Sequence, residues 1–230
     1  MLTHLRALLV SIGGLLALGV VACSGGSSPE ATGPSVVATS ATTFPPSGTY
    51  IADITRDGRA MSIGISVDGS DIAAYACNGA DDEAWFFGSE STGRIDIDSR
   101  FRDTLEATFD GTDVEGELTV NGVAYPFVAT PAQAPAGVYT ADTGGVRSTW
   151  VRRPDEYAIG VQYSGGVSDH DLEEADRQRL AAEQFRTQVR SRRQLQQAAQ
   201  LVVLDNGTMG STINGRAVTP TLVSGSFRLG

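Results

Sequence analysis

Between residues 48 and 131 apolar side chains recur at every second position, and tight-turn dipeptides interrupt the runs every few residues. In Ala60-Met61-Ser62-Ile63-Gly64-Ile65-Ser66-Val67, Met61, Ile63, Ile65 and Val67 fall on one face of an extended chain. A period of two is that of a half-buried strand, not of a helix. Thr49 to Ile54 alternates in the same way, and Arg94-Ile95-Asp96-Ile97-Asp98 alternates strictly. Runs at 71–77, 84–87, 105–109, 114–120 and 123–128 complete a set of about eight short strands. Asp68-Gly69, Asp110-Gly111 and Asn121-Gly122 separate them, and such pairs accept the positive φ angles of hairpin turns. The pattern predicts a mainly β fold: an antiparallel meander forming a barrel or sandwich of about ten to twelve strands.

The rest of the chain echoes the first part. Gly48-Thr49-Tyr50-Ile51-Ala52-Asp53 recurs as Gly137-Val138-Tyr139-Thr140-Ala141-Asp142. Asp110-Gly111 and Asn121-Gly122 have counterparts in Asn206-Gly207 and Asn214-Gly215. A diverged duplication accounts for the order; reuse of turn residues accounts for each dipeptide taken alone. One long α-helix over about 169–200 is expected to break the repeat. Ser168 and Asp171 form a capping-box pair, acids crowd its start, and Arg186, Arg190, Arg192 and Arg193 crowd its end. Its apolar stripe is thin, and Phe185 and Val189 on it are candidates for contact with a partner helix.

Composition removes several chemistries. All 17 basic residues are arginine, so no lysine is available for a Schiff base or a phosphate loop. That bias fits a GC-rich genome. Of the two histidines, His4 lies in the apolar leader and His170 among helix-start acids, which leaves no nucleophile–base pair and no zinc set. No catalytic residue, metal ligand or cofactor is assigned. The formal charge is −10. Residues 47–131 carry 16 acidic residues against five arginines, whereas residues 132–230 are nearly balanced. An acidic face argues against nucleic acid as a partner. Asp96 and Asp98, opposite Ile95 and Ile97, are expected on the wet side of their strand. Cys77 follows Ala73-Ala74-Tyr75-Ala76, a setting that favours burial; a reactive or intermolecular thiol is the alternative.

The first 22 residues read as a secretory signal: His4 and Arg6, an apolar run to Ala22, then small residues at a cleavage site. Val20-Val21-Ala22-Cys23 resembles the lipobox of bacterial lipoproteins. That resemblance implies a diacylglyceryl group on Cys23, palmitate among its acyl chains, and two chains hold a protein stably to a bilayer. Residues 23–47 are then a lipidated cysteine and a flexible Ser/Gly/Pro tether, 48–131 a β-meander half, and 132–230 a second β half with the helix insert. Ala74-Tyr75-Ala76-Cys77-Asn78-Gly79 with Glu83-Ala84-Trp85-Phe86-Phe87-Gly88 resembles uncharacterised secreted or membrane-attached actinobacterial proteins. That resemblance implies a compartment and no activity.

The functional expectation is a lipid-anchored protein on the extracytoplasmic face of the cell membrane. It meets the membrane through its lipid only, is not an enzyme, and binds a small ligand or an envelope protein partner. Tyr50, Trp85, Phe86, Tyr125 and Trp150 are candidates for a carrier pocket, an expectation that requires an unfilled interior. The alternatives are a helix-mediated scaffold lipoprotein using Phe185 and Val189, or a carboxylate-dependent hydrolase with two acids facing each other across a cleft.

Overall fold

In the computed structural model, which describes residues 42–229, the meander curls upon itself. Its strands are β1 (Ser47–Arg56), β2 (Arg59–Asp68), β3 (Asp71–Cys77), β4 (Glu83–Ser89), β5 (Arg94–Asp98), β6 (Thr104–Phe109), β7 (Val114–Val120) and β8 (Val123–Pro131). The order across the sheet is β4-β3-β2-β1-β8-β7-β6-β5, antiparallel at every step. Pairing of β1 with β8 brings the first and last strands together through Tyr50↔Pro131 and Ile51↔Thr130. The sheet's outer members, β4 and β5, then meet without a hydrogen-bonded ladder. Gly88 makes that approach possible: a Cβ there would stand 2.8 Å from Ile97 Cγ1. The result is a nearly closed eight-stranded barrel.

The barrel interior is filled by side chains. Met61, Ile63, Ile65, Ile72, Phe86, Ile95, Leu105, Leu118 and Phe127 are among the buried residues that meet there. At one end Phe44, just before β1, stacks on Phe109 with ring centroids 4.7 Å apart and meets Tyr50 edge-on. The two halves of the wall differ outside. Strands β5 to β7 bury one face only, and Asp96 and Asp98 are exposed opposite buried Ile95 and Ile97. Strands β2 and β3 are buried on both faces.

The cause of that double burial is a second sheet. It contains β9 (Gly137–Thr143), β10 (Val146–Arg152), β11 (Ala158–Tyr163), β12 (Leu195–Gln197) and β16 (Thr221–Leu222), in the order β12-β11-β10-β9-β16. Val138, Val151 and Val161 pack against Ile51, Ala73, Tyr75, Cys77 and Trp85 on the outside of the barrel. Strands β13 (Val202–Val203), β14 (Met209–Ile213) and β15 (Arg216–Val218) form a small third sheet. The halves share details. Ala132 N donates to Thr49 O at 2.8 Å, and Val223 N donates to Val138 O at 2.9 Å. Tyr50 pairs with Pro131, and Tyr139 with Leu222.

The expected long helix is not formed. Residues 164–194 fold as α1 (Asp169–Arg177), α2 (Ala182–Gln188) and a 3-10 turn at Arg190–Arg192, and 195–197 join the second sheet as β12. The Ser168 capping box is present, with the Asp171 side chain returning to the Ser168 backbone. The break falls at Arg179, whose φ is +50°. Packing explains it. On a straight helix Leu172 and Val189 stand about 25 Å apart. Folded back, Leu172, Ala175, Leu180, Phe185 and Val189 meet one another and Phe101 in a single cluster. Arg102 secures the bend by donating to Leu180 O at 2.7 Å and pairing with Asp176 at 2.8 Å. Phe185 is 2% exposed and Val189 4%. The exposed partner-helix stripe expected at these two residues is therefore replaced by an internal contact.

Two predictions follow from this packing. A Cβ at Gly64 would stand 2.5 Å from Val138 Cγ2, where the second sheet seats on β2. Gly64→Ala should cost about 1–3 kcal/mol in urea unfolding, and pairing it with Val138→Ala should recover part of that loss in a double-mutant cycle. On the wet face, Asp96, Glu106 and Glu117 sit directly opposite one another across three strands. Like charges in register repel, so Glu106→Gln should stabilise the fold by about 0.2–1 kcal/mol at low salt. That gain should shrink at about 1 M salt, where screening is short-ranged.

Candidate functional site

The strap of residues 164–194 closes on the barrel end that carries the β1–β2, β3–β4, β5–β6 and β7–β8 connections. Its stem is tied by Ser164 N to Gln194 O at 2.9 Å and Gln194 N to Gly165 O at 2.8 Å. Its tip places Arg190 and Arg193 among barrel carboxylates. Arg190 donates through Nη1 to Asp103 at 2.6 Å and through Nη2 to Asp82 at 2.7 Å. Arg193 donates to the same Asp82 oxygen at 2.9 Å and to the backbone carbonyl of Glu83 at 2.8 Å. The Glu83 carboxylate accepts from Arg147 of β10 at 2.5 Å and from the Tyr75 hydroxyl at 3.0 Å. Arg190 is 3% exposed, Asp103 2% and Glu83 3%. The network thus joins the strap, the barrel end and the second sheet in a buried, charge-matched set of three arginines and three acids.

Local turns hold these groups in place. The side-chain oxygen of Asn78 accepts from the backbone N–H groups of Ala80, Asp81 and Asp82, which fixes the β3–β4 loop and aims Asp82. Asp103 accepts from Asn121 N at 2.9 Å and from Ser99 Oγ at 3.1 Å. Burial pushes the Asp103 carboxyl above its usual range, and Arg190 and Asn121 N–H oppose that shift. Burial, with Arg190 beside it, lowers Arg193. The Nε–H groups of Arg147, Arg190 and Arg193 meet no acceptor, so the network carries a desolvation cost.

Beside the network lies an open cleft of about 630 Å3. Arg59 and Met61 of β2, Asn78 and Asp81 of the β3–β4 loop, Asn121 and Tyr125 at the β7–β8 turn, and Arg186 and Ser191 of the strap line it. Arg59 makes no ion pair among the described residues, and Tyr125 makes no side-chain hydrogen bond among them. Arg186 pairs with Glu183 on the strap's solvent side.

The carrier-pocket candidates are dispersed. Tyr50, Phe86 and Tyr125 belong to the filled barrel interior. Tyr125 reaches the cleft beneath the strap, whereas Tyr50 lines a separate groove at the other end. Trp85 lies outside the barrel wall, 4.8 Å from the Tyr75 ring and 5.2 Å from the Phe87 ring between centroids. Trp150 packs with Tyr139, Leu201 and Met209 and donates to Ala199 O at 2.8 Å. No shared cavity joins the five in the described residues. Cys77 is buried, and its thiol is pushed up to about 12 by desolvation, so it is protonated at neutral pH. Cys23 lies outside the described residues.

Sequence reasoning read Arg186, Arg190 and Arg193 as complements to a helix dipole and did not single out Asp103 or Arg59. The available signal was the Arg190-Ser191-Arg192-Arg193 run. Comparison with known proteins gives no match: no family model, no curated sequence and no solved structure matches the chain.

Removing Arg190 leaves Asp82 with Arg193 alone and Asp103 without its cation. Arg190→Met should therefore cost about 3–5 kcal/mol at pH 7. The loss should shrink toward acid. Asp103 has a folded pKa above its unfolded value of 3.8, and losing Arg190 raises it further. A raised carboxyl loses stability as pH rises from the unfolded toward the folded pKa and regains it as the proton returns. Urea midpoints of wild type and variant at pH 7 and near pH 4 measure this directly.

Proposed function

We propose that this chain is a lipid-anchored, extracytoplasmic cell-envelope protein without catalytic activity, and that it binds a small polar ligand in the cleft between barrel end and strap. The observation that carries the binding reading is the division of labour at the cleft. Buried ion pairs hold its wall, while Arg59 and Asn121 face it with side chains that make no ion pair or hydrogen bond among the described residues, and Tyr125, whose ring packs in the barrel interior, borders it. The envelope address rests on Cys23 and the residues before it, with diacylglycerol on the cysteine and the tether as a leash. No helix among the described residues is long and apolar enough to cross a membrane.

Within this reading the ligand sits at the barrel end, because the interior is occupied by Ile63, Ile65, Phe86, Leu105 and their neighbours. A scaffold role through Phe185 and Val189 lacks its surface. The hydrolase reading lacks two free, opposed acids at this cleft, since Asp82 already accepts from two arginines. We also propose that the two halves descend from one duplicated unit, which the paired Thr49–Ala132 and Val138–Val223 bonds support.

Two measurements test the reading. Metabolic labelling with a palmitate analogue should mark the wild-type chain and not Cys23→Ala; an unlabelled wild type removes the anchor. Fractionated small-molecule extract of the cell envelope, titrated into the isotopically labelled full chain in detergent, should shift the amide signals of Arg59, Asn121 and Ser191. Ser191→Trp should abolish the shifts of Arg59 and Asn121, and no response to any fraction removes the binding site.

A further inference from the structure

We infer that the ligand of this cleft is an organic anion whose carboxylate or phosphate is held between Arg59 and Arg186, with Tyr125 as a hydroxyl donor. The inference rests on the cleft being a binding site, and it assigns the class of ligand.

Charge placement is the first support. The chain is acidic overall, yet four of its 17 arginines line this single cleft. They fall into two kinds. Arg190 and Arg193 are consumed: each holds Asp82, and their remaining Nη groups go to Asp103 and to the Glu83 carbonyl. Arg59 is not consumed, since no carboxylate among the described residues pairs with it. Arg186 is held only by Glu183, three residues earlier on α2 and 73% exposed. A solvent-exposed pair of that kind contributes little and is readily exchanged for a better anion. The acids on the cleft wall are Asp81 and Asp82. Asp82 is paired with the two buried arginines, whereas Asp81 accepts only from the neutral Asn78 Nδ2 at 2.9 Å and keeps its charge. With four arginines against two aspartates, the lining carries an excess of positive charge.

Geometry is the second support. Arg186 lies across the β7–β8 turn, and a Cβ at Gly122 would stand 2.9 Å from its Nη1. Glycine at that position, already required by a φ of +76°, also leaves room for the guanidinium over the cleft. Tyr125 is 4% exposed and the open part of its residue borders the cleft, so its hydroxyl is a donor held by a rigid ring. The Tyr125 hydroxyl makes no side-chain hydrogen bond among the described residues and is open to water, so it is free to donate to a ligand oxygen. Planar guanidinium groups bind carboxylate and phosphate through paired N–H donors.

The cleft has room for an organic anion. The cleft, at about 630 Å3, lies in the range typical of small-molecule sites. Met61, Val120, Val123 and Leu195 give part of its wall an apolar lining for the ligand's carbon skeleton.

The test uses the full chain in detergent, with citrate and inorganic phosphate as probes and glucose as the neutral control. Citrate should shift the Nε–H signals of Arg59 and Arg186 saturably, phosphate should do so more weakly, and glucose should not. Arg59→Gln with Arg186→Gln, both at the surface, should weaken citrate binding about tenfold or more. Tyr125→Phe should weaken it severalfold with the amide spectrum otherwise retained. Raising salt to about 0.2 M should also weaken it. Unmoved arginine signals with both anions, or equal affinity in the double glutamine variant, overturn the inference. If neutral envelope fractions shift Asn121 and Ser191 while citrate and phosphate do not, the cleft remains a binding site and only its anionic specificity falls. If nothing shifts these signals, both fall together.

Discussion

Arg190 is the point on which the barrel end depends. Its two Nη groups reach Asp82, in the loop before β4, and Asp103, in the loop before β6. These loops belong to opposite sides of the β4–β5 seam, where no hydrogen-bonded ladder joins the sheet. One strap residue therefore bridges the gap that the backbone leaves open. Buried ion pairs add little net stability compared with apolar packing, because desolvation offsets most of the Coulomb gain. What they supply here is position. A guanidinium between two aimed carboxylates fixes where the strap lies, beside the apolar cluster around Phe185. The second sheet is tied into the same system, since Arg147 and Tyr75 share Glu83.

The asymmetry of the barrel wall follows from which strands meet that second sheet. Small residues on the outer face of β2 and β3, namely Gly64, Ala73 and Cys77, let Val138, Val151 and Val161 approach closely. The opposite wall carries Asp96, Glu106 and Glu117 outward into water. The acidity of the first half thus collects on one exposed face, and the strap brings its arginines to the barrel end. Overall charge and local charge at the cleft differ in sign because different segments supply them.

Much of this was legible in the chain. The strict alternation of 94–98 marks a one-sided strand, and the structure has Ile95 and Ile97 inward with both aspartates outward. The antiparallel meander and its close turns were equally readable, because side-chain period and turn residues are local properties. The expected helix over 169–200 is broken first at Arg179, and its last part is a 3-10 turn and strand β12. Arg179 has no sequence mark of a helix stop, being neither Gly nor Asn. The bend is selected by the gain from bringing Leu180 and Phe185 onto Phe101, a residue far away in the chain. The site was hidden for the same reason. Arg190 finds Asp82 and Asp103 across 108 and 87 residues, and no periodicity carries that information. Aromatic residues drew attention to Trp85 and Trp150, but large rings here fill packing between layers.

The position of the strap gives the proposed duplication a structural logic. Strands β11 and β12 pair as β3 and β4 do, and the strap occupies the connection between them. In the first half that same connection is the short loop 78–82, which carries Asp82. Under a shared origin, an insertion enlarged one copy of the loop, and the enlarged copy closed onto the barrel end beside the unexpanded one. The second half meanwhile has no strand equivalent to β5 between β12 and β13 and does not form a barrel of its own. Its sheet is instead completed by packing on β2 and β3. The strap brings Arg186, Arg190 and Arg193 to the cleft, and β2 brings Arg59. The cleft is therefore lined by both halves together and by neither alone.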